Sequence, residues 1–271
     1  MPELPEVETT RCGIEPWLVG ATITQVRIHN HRLRWPVPTG IETCLTGQII
    51  HSVERRAKYL LLKTDSGTAI IHLGMSGTLQ IVAPATTLRK HDHVEIEIES
   101  GSILRFNDPR RFGCLLWTSN NPLDHPLLAH LGPEPLHDEF NGAYLYTTSR
   151  SRRITIKQFV MNAAIVVGVG NIYASESLFR AGIHPKRTAG RISLERMTRL
   201  ADAIKLVLQE SIQQGGTTLR DFYNGDGKPG YFKNKLNVYG REGEACVTCQ
   251  KPIRKIFLGQ RSTFYCPDCQ K

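Results

Sequence analysis

The sequence predicts an α+β protein: a β-sandwich or barrel with one attached helix, then a helical domain, then a small metal-binding ribbon. Three observations predict it. The first half carries short aliphatic and β-branched runs at close spacing with Gly-containing turns between them. Residues from Leu194 to Ile212 repeat apolar side chains at helical spacing. Four of the seven cysteines close the chain as two CxxC pairs, Cys246/Cys249 and Cys266/Cys269, with sixteen residues between the pairs.

Within the first part, Pro5 opens a helix that should close near Gly13 and Pro16. Val94 to Glu99 alternates apolar and polar residues with the period of a half-buried strand, and Ile23 to Ile28 does so more loosely. Tyr59 to Leu62, Ala69 to Ile71 and Ile103–Leu104 read as core strands. The Pro/Gly-rich stretch Gly132 to Gly142 reads as a linker, after which the periodicity turns helical. Asn171 is the expected N-cap of a helix over 172–181, stopped by Gly182. A second helix carries Leu194, Met197, Leu200, Ala201, Ile204, Val207, Leu208 and Ile212, and ends at Gly215–Gly216. The expected domains are therefore 1–135, 142–235 and 236–271.

A chain of 271 residues, 40% hydrophobic, can bury a sizeable core, which excludes a wholly disordered protein. No apolar run approaches the roughly 20 residues of a membrane helix, and the acidic start MPELPEVETT lacks the shape of a signal peptide. A cytoplasmic protein with no membrane partner is expected. The odd cysteine count fits a reducing compartment, and Cys12, Cys44 and Cys114 read as small buried apolar residues.

Two CxxC corners present four thiolates to one tetrahedral Zn2+, and a site with four protein ligands is closed and structural. The sixteen residues between them suit a hairpin, Arg254 to Leu258 and Arg261 to Cys266, whose turn is Gly259–Gln260. Charge points to the partner. Lys and Arg number 34 against 25 Asp and Glu, a net +9. Arg150, Arg152, Arg153 and Lys157 form a basic run without an acid, followed by a glycine-rich turn at a helix start, where free N–H groups favour a phosphate. A nucleic-acid backbone is the expected partner.

Pro2 adds a chemical feature. Once Met1 is removed, it is a free secondary amine; an α-amino group titrates near pH 8, so far more of it is unprotonated at neutral pH than of a lysine. Such a nitrogen can attack an aldehyde-like carbon to give an iminium ion, with Glu3 and Glu6 close by in sequence for proton transfer.

The start PELPEVE (Pro2 to Glu8), RRAKYL (Arg55 to Leu60), HLGMSG (His72 to Gly77), KHDH (Lys90 to His93), DPRRFG (Asp108 to Gly113), VGVGNIYA (Val167 to Ala174) and the four-cysteine tail occur in order from residue 2 to the C-terminus. Together they resemble the formamidopyrimidine-DNA glycosylase family, and Leu4, where the endonuclease VIII branch has Gly, favours the oxidised-purine branch. The resemblance implies an N-terminal β-sandwich with its attached helix, a helix-two-turn-helix domain and a zinc ribbon. It implies a monomeric, bifunctional glycosylase and AP lyase acting on damaged double-stranded DNA, with β,δ-elimination. It further implies that Pro2 attacks C1′, that Glu3 donates a proton to open the sugar, and that Lys58 and Arg261 serve the β- and δ-eliminations. His91, Arg110, Arg152 and Asn171 match the family's DNA contacts, and Met75, Arg110 and Phe112 the residues that fill the gap left by the extruded base. A base inside a duplex must be flipped out before its glycosidic carbon can be reached, and wedge side chains such as Met75 and Phe112 offset part of the unstacking cost by occupying the vacancy.

Asn162, where an Asp is usual, and the following Ala163–Ala164 depart from the family pattern, as do Arg152 and Arg153 where lysines occur. Arg220 and Tyr239 are further candidates for lesion recognition. The rival readings are a non-catalytic zinc protein that binds DNA, which would need none of Pro2, Glu3 and Lys58, and an oxidised-pyrimidine glycosylase.

Overall fold

The computed structural model describes residues 2–216 and 236–271. Arg220 lies outside them. The described chain forms two compact units: one runs to Ala129, and the other holds His130–Gln213 together with the C-terminal ribbon.

The first unit opens with α1 (Leu4–Leu18), which runs through both Gly13 and Pro16 rather than stopping there. Burial of Val7, Ile14 and Leu18 on one face outweighs the local cost of a proline in the last turn. The strands follow: β1 (Ile23–Ile28), β2 (Ser52–Arg56), β3 (Tyr59–Lys63), β4 (Thr68–His72), β5 (Thr78–Val82), β6 (Asp92–Ile98), β7 (Ile103–Asn107) and β8 (Cys114–Thr118), with the short α2 (Ile41–Leu45) after β1. They make two four-stranded antiparallel sheets, ordered β1-β6-β7-β5 and β2-β3-β4-β8. Val94, Ile96 and Leu104 of one sheet share a single core with Leu60, Leu62 and Ile71 of the other and with Ile14 of α1. This is a β-sandwich, closing the alternative of a barrel.

The expected alternation in β6 is interrupted at Glu95, which is buried. Its carboxylate accepts from Arg105 Nε at 3.0 Å and faces His29 Nε2 at 3.0 Å, so a buried charge is matched rather than exposed.

In the second unit, α3 (Gly142–Ser149), α4 (Ile156–Val160), α5 (Asn171–Arg180) and α6 (Leu194–Gln213) precede the hairpin β9 (Arg254–Leu258) and β10 (Arg261–Tyr265). The expected linker belongs to the packing: Phe140 is fully buried, Glu134 is buried, and Gly132 N–H donates to Ala163 O at 2.8 Å. Prolines there set turns without making the segment loose. Helix α5 begins one residue earlier than expected, with Gly170 as the cap, because the Asn171 side chain is engaged elsewhere. Gly182, at φ 65°, ends that region as expected. Cys114 is buried, but Cys12 and Cys44 are exposed, on the outward sides of α1 and α2.

Candidate active site

The N-terminal residues are fixed before any chemistry is considered. Pro2 and Glu3 are both buried. Glu3 is the N-cap of α1, with extended backbone, and its N–H donates to Glu6 Oε2 at 2.8 Å in a capping box. Glu6, a candidate for proton transfer, thus holds the backbone N–H of Glu3.

Lys58 sits in the two-residue turn between β2 and β3, where Ala57 adopts φ 56°. A left-handed alanine is held there at a cost of about 1–2 kcal/mol, offset by its surroundings. Arg55 donates from Nη1 to Ala57 O at 3.0 Å, and from Nε to Glu8 Oε2 of α1 at 2.7 Å. Glu8 also accepts from Arg11 Nε at 2.8 Å. Burial opposes its charge, yet the hydrogen bonds from Arg11 and Arg55 hold its carboxyl below the usual range. This pair ties the helix that carries Pro2 and Glu3 to the hairpin that carries Lys58.

His72, which its sequence neighbourhood does not single out, lies at the end of β4 with its ring 4.8 Å from that of Tyr59. Burial, then the charges of Lys58 and Arg34, pull its pKa down to about 4, so it is neutral at physiological pH. Nδ1 accepts from Gly74 N–H at 2.9 Å, which leaves the proton on Nε2. Its place in HLGMSG is the one signal that could have found it.

The expected wedge residues come together. Met75 is half-buried in the turn after β4, and Phe112 is 40% exposed. A Cβ on Gly74 would lie 2.5 Å from the backbone of Phe112 and Gly113, so the two turns touch and only glycine allows it. Fully buried Asp108 organises the second turn, accepting from Gly113 N–H at 2.8 Å, Arg110 N–H at 3.3 Å and Ser76 Oγ at 3.2 Å. Arg110 is exposed and its guanidinium lies 4.7 Å from the Phe112 ring. His91 joins the same neighbourhood, its carbonyl accepting from Asp108 N–H at 3.0 Å.

In the second unit the four cysteine Sγ atoms lie within 4.8 Å of one another, with Cys246–Cys269 at 3.8 Å and Cys249–Cys266 at 3.3 Å. A zinc tetrahedron with Zn–S near 2.3 Å has edges of about 3.8 Å, so the donor set fits. N–H groups of Thr248 and Cys269 point at sulfur, each at 3.4 Å, as supports for thiolate charge.

The ribbon turn Gly259–Gln260 has positive φ at both residues, the hairpin geometry that places exposed Arg261 at the start of β10. The sequence puts Lys157 in a basic run; the structure buries it. Its Nζ donates to Thr263 Oγ1 at 2.7 Å, Asn171 Oδ1 at 2.6 Å and Ser262 O at 3.1 Å. Asn171 Nδ2 donates to the same Ser262 carbonyl at 2.9 Å and, at 3.3 Å, to Tyr239 Oη. Asn171 is therefore turned to the ribbon, next to Arg261. Tyr239 meets Phe264 edge to face, ring centroids 5.0 Å apart, a packing role. Glu176, buried and unforeseen, accepts from the N–H groups of Asn237, Val238 and Tyr239 at 2.8–2.9 Å. Nothing in its spacing announced that. At Asn162 the departure is locally neutral: Oδ1 accepts from Ala164 N–H at 3.0 Å, a bond an Asp would also make.

Lys157→Met keeps the volume but leaves three acceptors without their cation. Stability is expected to fall by about 2–3 kcal/mol in denaturant melts. An unchanged melt would remove Lys157 from this role.

Comparison with known proteins agrees along the whole chain. Family models for the formamidopyrimidine-DNA glycosylase N-terminal domain, its H2TH domain, and a zinc finger found in FPG and IleRS match residues 1–115, 131–223 and 243–271. Formamidopyrimidine-DNA glycosylases of Syntrophotalea carbinolica and Stutzerimonas stutzeri are each 57% identical over 271 residues, covering 100% of both chains. Among solved structures, the Lactococcus lactis Fpg in complex with an abasic site containing DNA is similar at TM-score 0.92 and 33% identity, covering 99% of each chain. The MutM (Fpg) protein of Thermus thermophilus is similar at TM-score 0.89 and 35% identity, covering 99% of this chain and 98% of that one.

Proposed function

Because this chain belongs to the formamidopyrimidine-DNA glycosylase family, we propose that its first residues carry the chemistry of that family, with Pro2 as nucleophile and Glu3 as proton donor. The protein is a DNA glycosylase and AP lyase of base excision repair that removes oxidised purines from damaged DNA. Its cysteine cluster holds one structural zinc, which clamps the ribbon and takes no part in bond breaking.

Under this reading the Pro2 nitrogen attacks C1′ of the extruded nucleotide, the base leaves with its bonding electrons and takes up a proton, and Glu3 protonates the sugar ring oxygen as it opens. The resulting iminium acidifies the C2′ proton. Its loss to water puts the C–H electron pair into a new C2′=C3′ bond as C3′–O breaks, with Lys58 protonating the departing 3′ phosphate oxygen. Loss of the C4′ proton to water then forms C4′=C5′ and breaks C5′–O, with Arg261 serving the departing 5′ phosphate in the same way. Both phosphates leave as anions, so no redox partner is required. Met75, Arg110 and Phe112 occupy the vacancy in the stack, while His91, Arg152 and Asn171 are assigned to the DNA backbone. Residues 1–135, 142–235 and 236–271 are the corresponding functional segments. We place the enzyme with chromosomal DNA in the cytoplasm; no described helix is long and apolar enough to cross a membrane.

The observation that carries the assignment is the pinned N-terminus: a capping box orients Pro2 and Glu3, and the Glu8–Arg55 pair joins their helix to the Lys58 turn. Borohydride reduction in the presence of an 8-oxoguanine duplex should trap the protein covalently through Pro2. No adduct, or an adduct through Lys58, would overturn the assignment. Preference for thymine glycol over 8-oxoguanine would move the enzyme to the oxidised-pyrimidine branch.

A further inference from the structure

The second unit carries a cavity of about 560 Å³ lined by Arg150, Arg152, Arg153 and Arg191, together with Thr188 and Gly190. Among the described residues no carboxylate lines it. Its walls come from two separate stretches: the loop after α3, and a 3₁₀ turn at Ala189–Arg191. The backbone clips them together. Ile156 N–H donates to Arg187 O at 2.7 Å, Ala189 N–H to Ile154 O at 3.0 Å and Gly190 N–H to Arg152 O at 3.1 Å. A Cβ at Gly190 would lie 2.8–3.0 Å from three carbonyl oxygens of the loop, so the close approach depends on that glycine.

One of the four cations is also fixed in place. The Arg150 guanidinium sits 3.8 Å from the Tyr146 ring and donates to Ile192 O at 2.7 Å and Tyr146 O at 2.9 Å. These partners are neutral, so its charge is held at the rim without being cancelled. Like charges gathered around a concavity repel one another and focus a positive potential into it, and an entering anion relieves that repulsion. The planar guanidinium fork matches phosphate oxygens in pairs.

From this geometry we propose that Arg153 and Arg191 complete, around Arg152, a phosphate cradle that grips a polyanion. The family resemblance assigns Arg152 alone of these to DNA; the cavity recruits Arg191, 39 positions further along the chain, which no motif marks. The space exceeds what one phosphate fills and suits a run of two or three. Two sources supply such a run: the sugar-phosphate backbone flanking the lesion, or a free polyphosphate. The cradle as a DNA grip rests on the function proposed above.

The test uses full-length, zinc-loaded protein, wild type and the Arg153→Gln/Arg191→Gln double variant. For the DNA source, the plot of log affinity for undamaged duplex against log salt becomes shallower by about 0.9 for each phosphate that the variant no longer neutralises. Between 50 and 200 mM salt that is roughly a 3.5-fold smaller drop in affinity per phosphate. For the free-anion source, the slope is unchanged but tripolyphosphate raises the melting temperature of wild type and not of the variant; that result upholds the cradle and names its ligand. Equal slopes together with equal response to tripolyphosphate overturn it. Failure of the wild type to excise any lesion would instead overturn the glycosylase reading, and a tripolyphosphate difference would then still stand for the cradle.

Discussion

Enzyme that retains a residue ahead of Pro2 is expected to lose at least about 10³-fold in single-turnover excision of 8-oxoguanine, the scale on which removal of a covalent nucleophile acts. The reason is electronic. In a peptide bond the proline nitrogen is a tertiary amide whose lone pair is delocalised, while the free secondary amine titrates near pH 8 and is partly unprotonated at neutral pH. Melting temperature and duplex affinity should change little, because the capping box that holds this corner uses the Glu3 N–H and the Glu6 carboxylate. Pro2→Gly, with Met1 removed, restores an amine and should recover part of the rate and of the borohydride adduct. Mass spectrometry that finds Met1 intact on fully active protein would end the assignment.

Replacing Cys249 by Ser is expected to release zinc and to cost the larger part of DNA affinity, at least about tenfold. The ribbon's own apolar cluster is small: it holds Val238, Ile253 and Phe264 with the buried cysteines Cys246 and Cys266. A core of that size does not offset the entropy of ordering some thirty residues, whereas a structural zinc supplies about 10–16 kcal/mol in comparable peptides. With the metal gone, Ser262 and Thr263 no longer meet Lys157 and Asn171, and Arg261 loses its platform. Zinc content by a colorimetric chelator and affinity by anisotropy would be measured together. Affinity unchanged in zinc-free protein would separate the ribbon from the DNA surface.

Much of this was legible in the residues. The strands over Ile23–Ile28, Tyr59–Lys63 and Asp92–Ile98, the helix Leu194–Gln213 and the ribbon hairpin are set by local period and turn chemistry, which act over a few neighbours. Strands β5 and β8 were not evident, since they pair with β7 and β4, tens of residues away; β2, Ser52–Arg56, carries too few apolar residues to announce a strand. Helix α1 overran its predicted end because burial of its apolar face is a tertiary term. Cys12 and Cys44 were misjudged for the same reason: their exposure depends on which face packs.

By itself, then, the sequence determined the order of the parts and the metal ligands, which are written as residue types at short spacings; the family and the residues proposed for catalysis followed from the resemblance of its motifs taken in order. Only the tertiary structure decided which charges are used for what. It turned Lys157 from a surface cation into the centre of a buried hydrogen-bond cluster, Glu6 into the acceptor for the Glu3 N–H, and Arg191 into a wall of the arginine cavity. Whether a charge is solvated, paired or aimed at a ligand depends on neighbours brought from tens of residues away, and local spacing does not encode them.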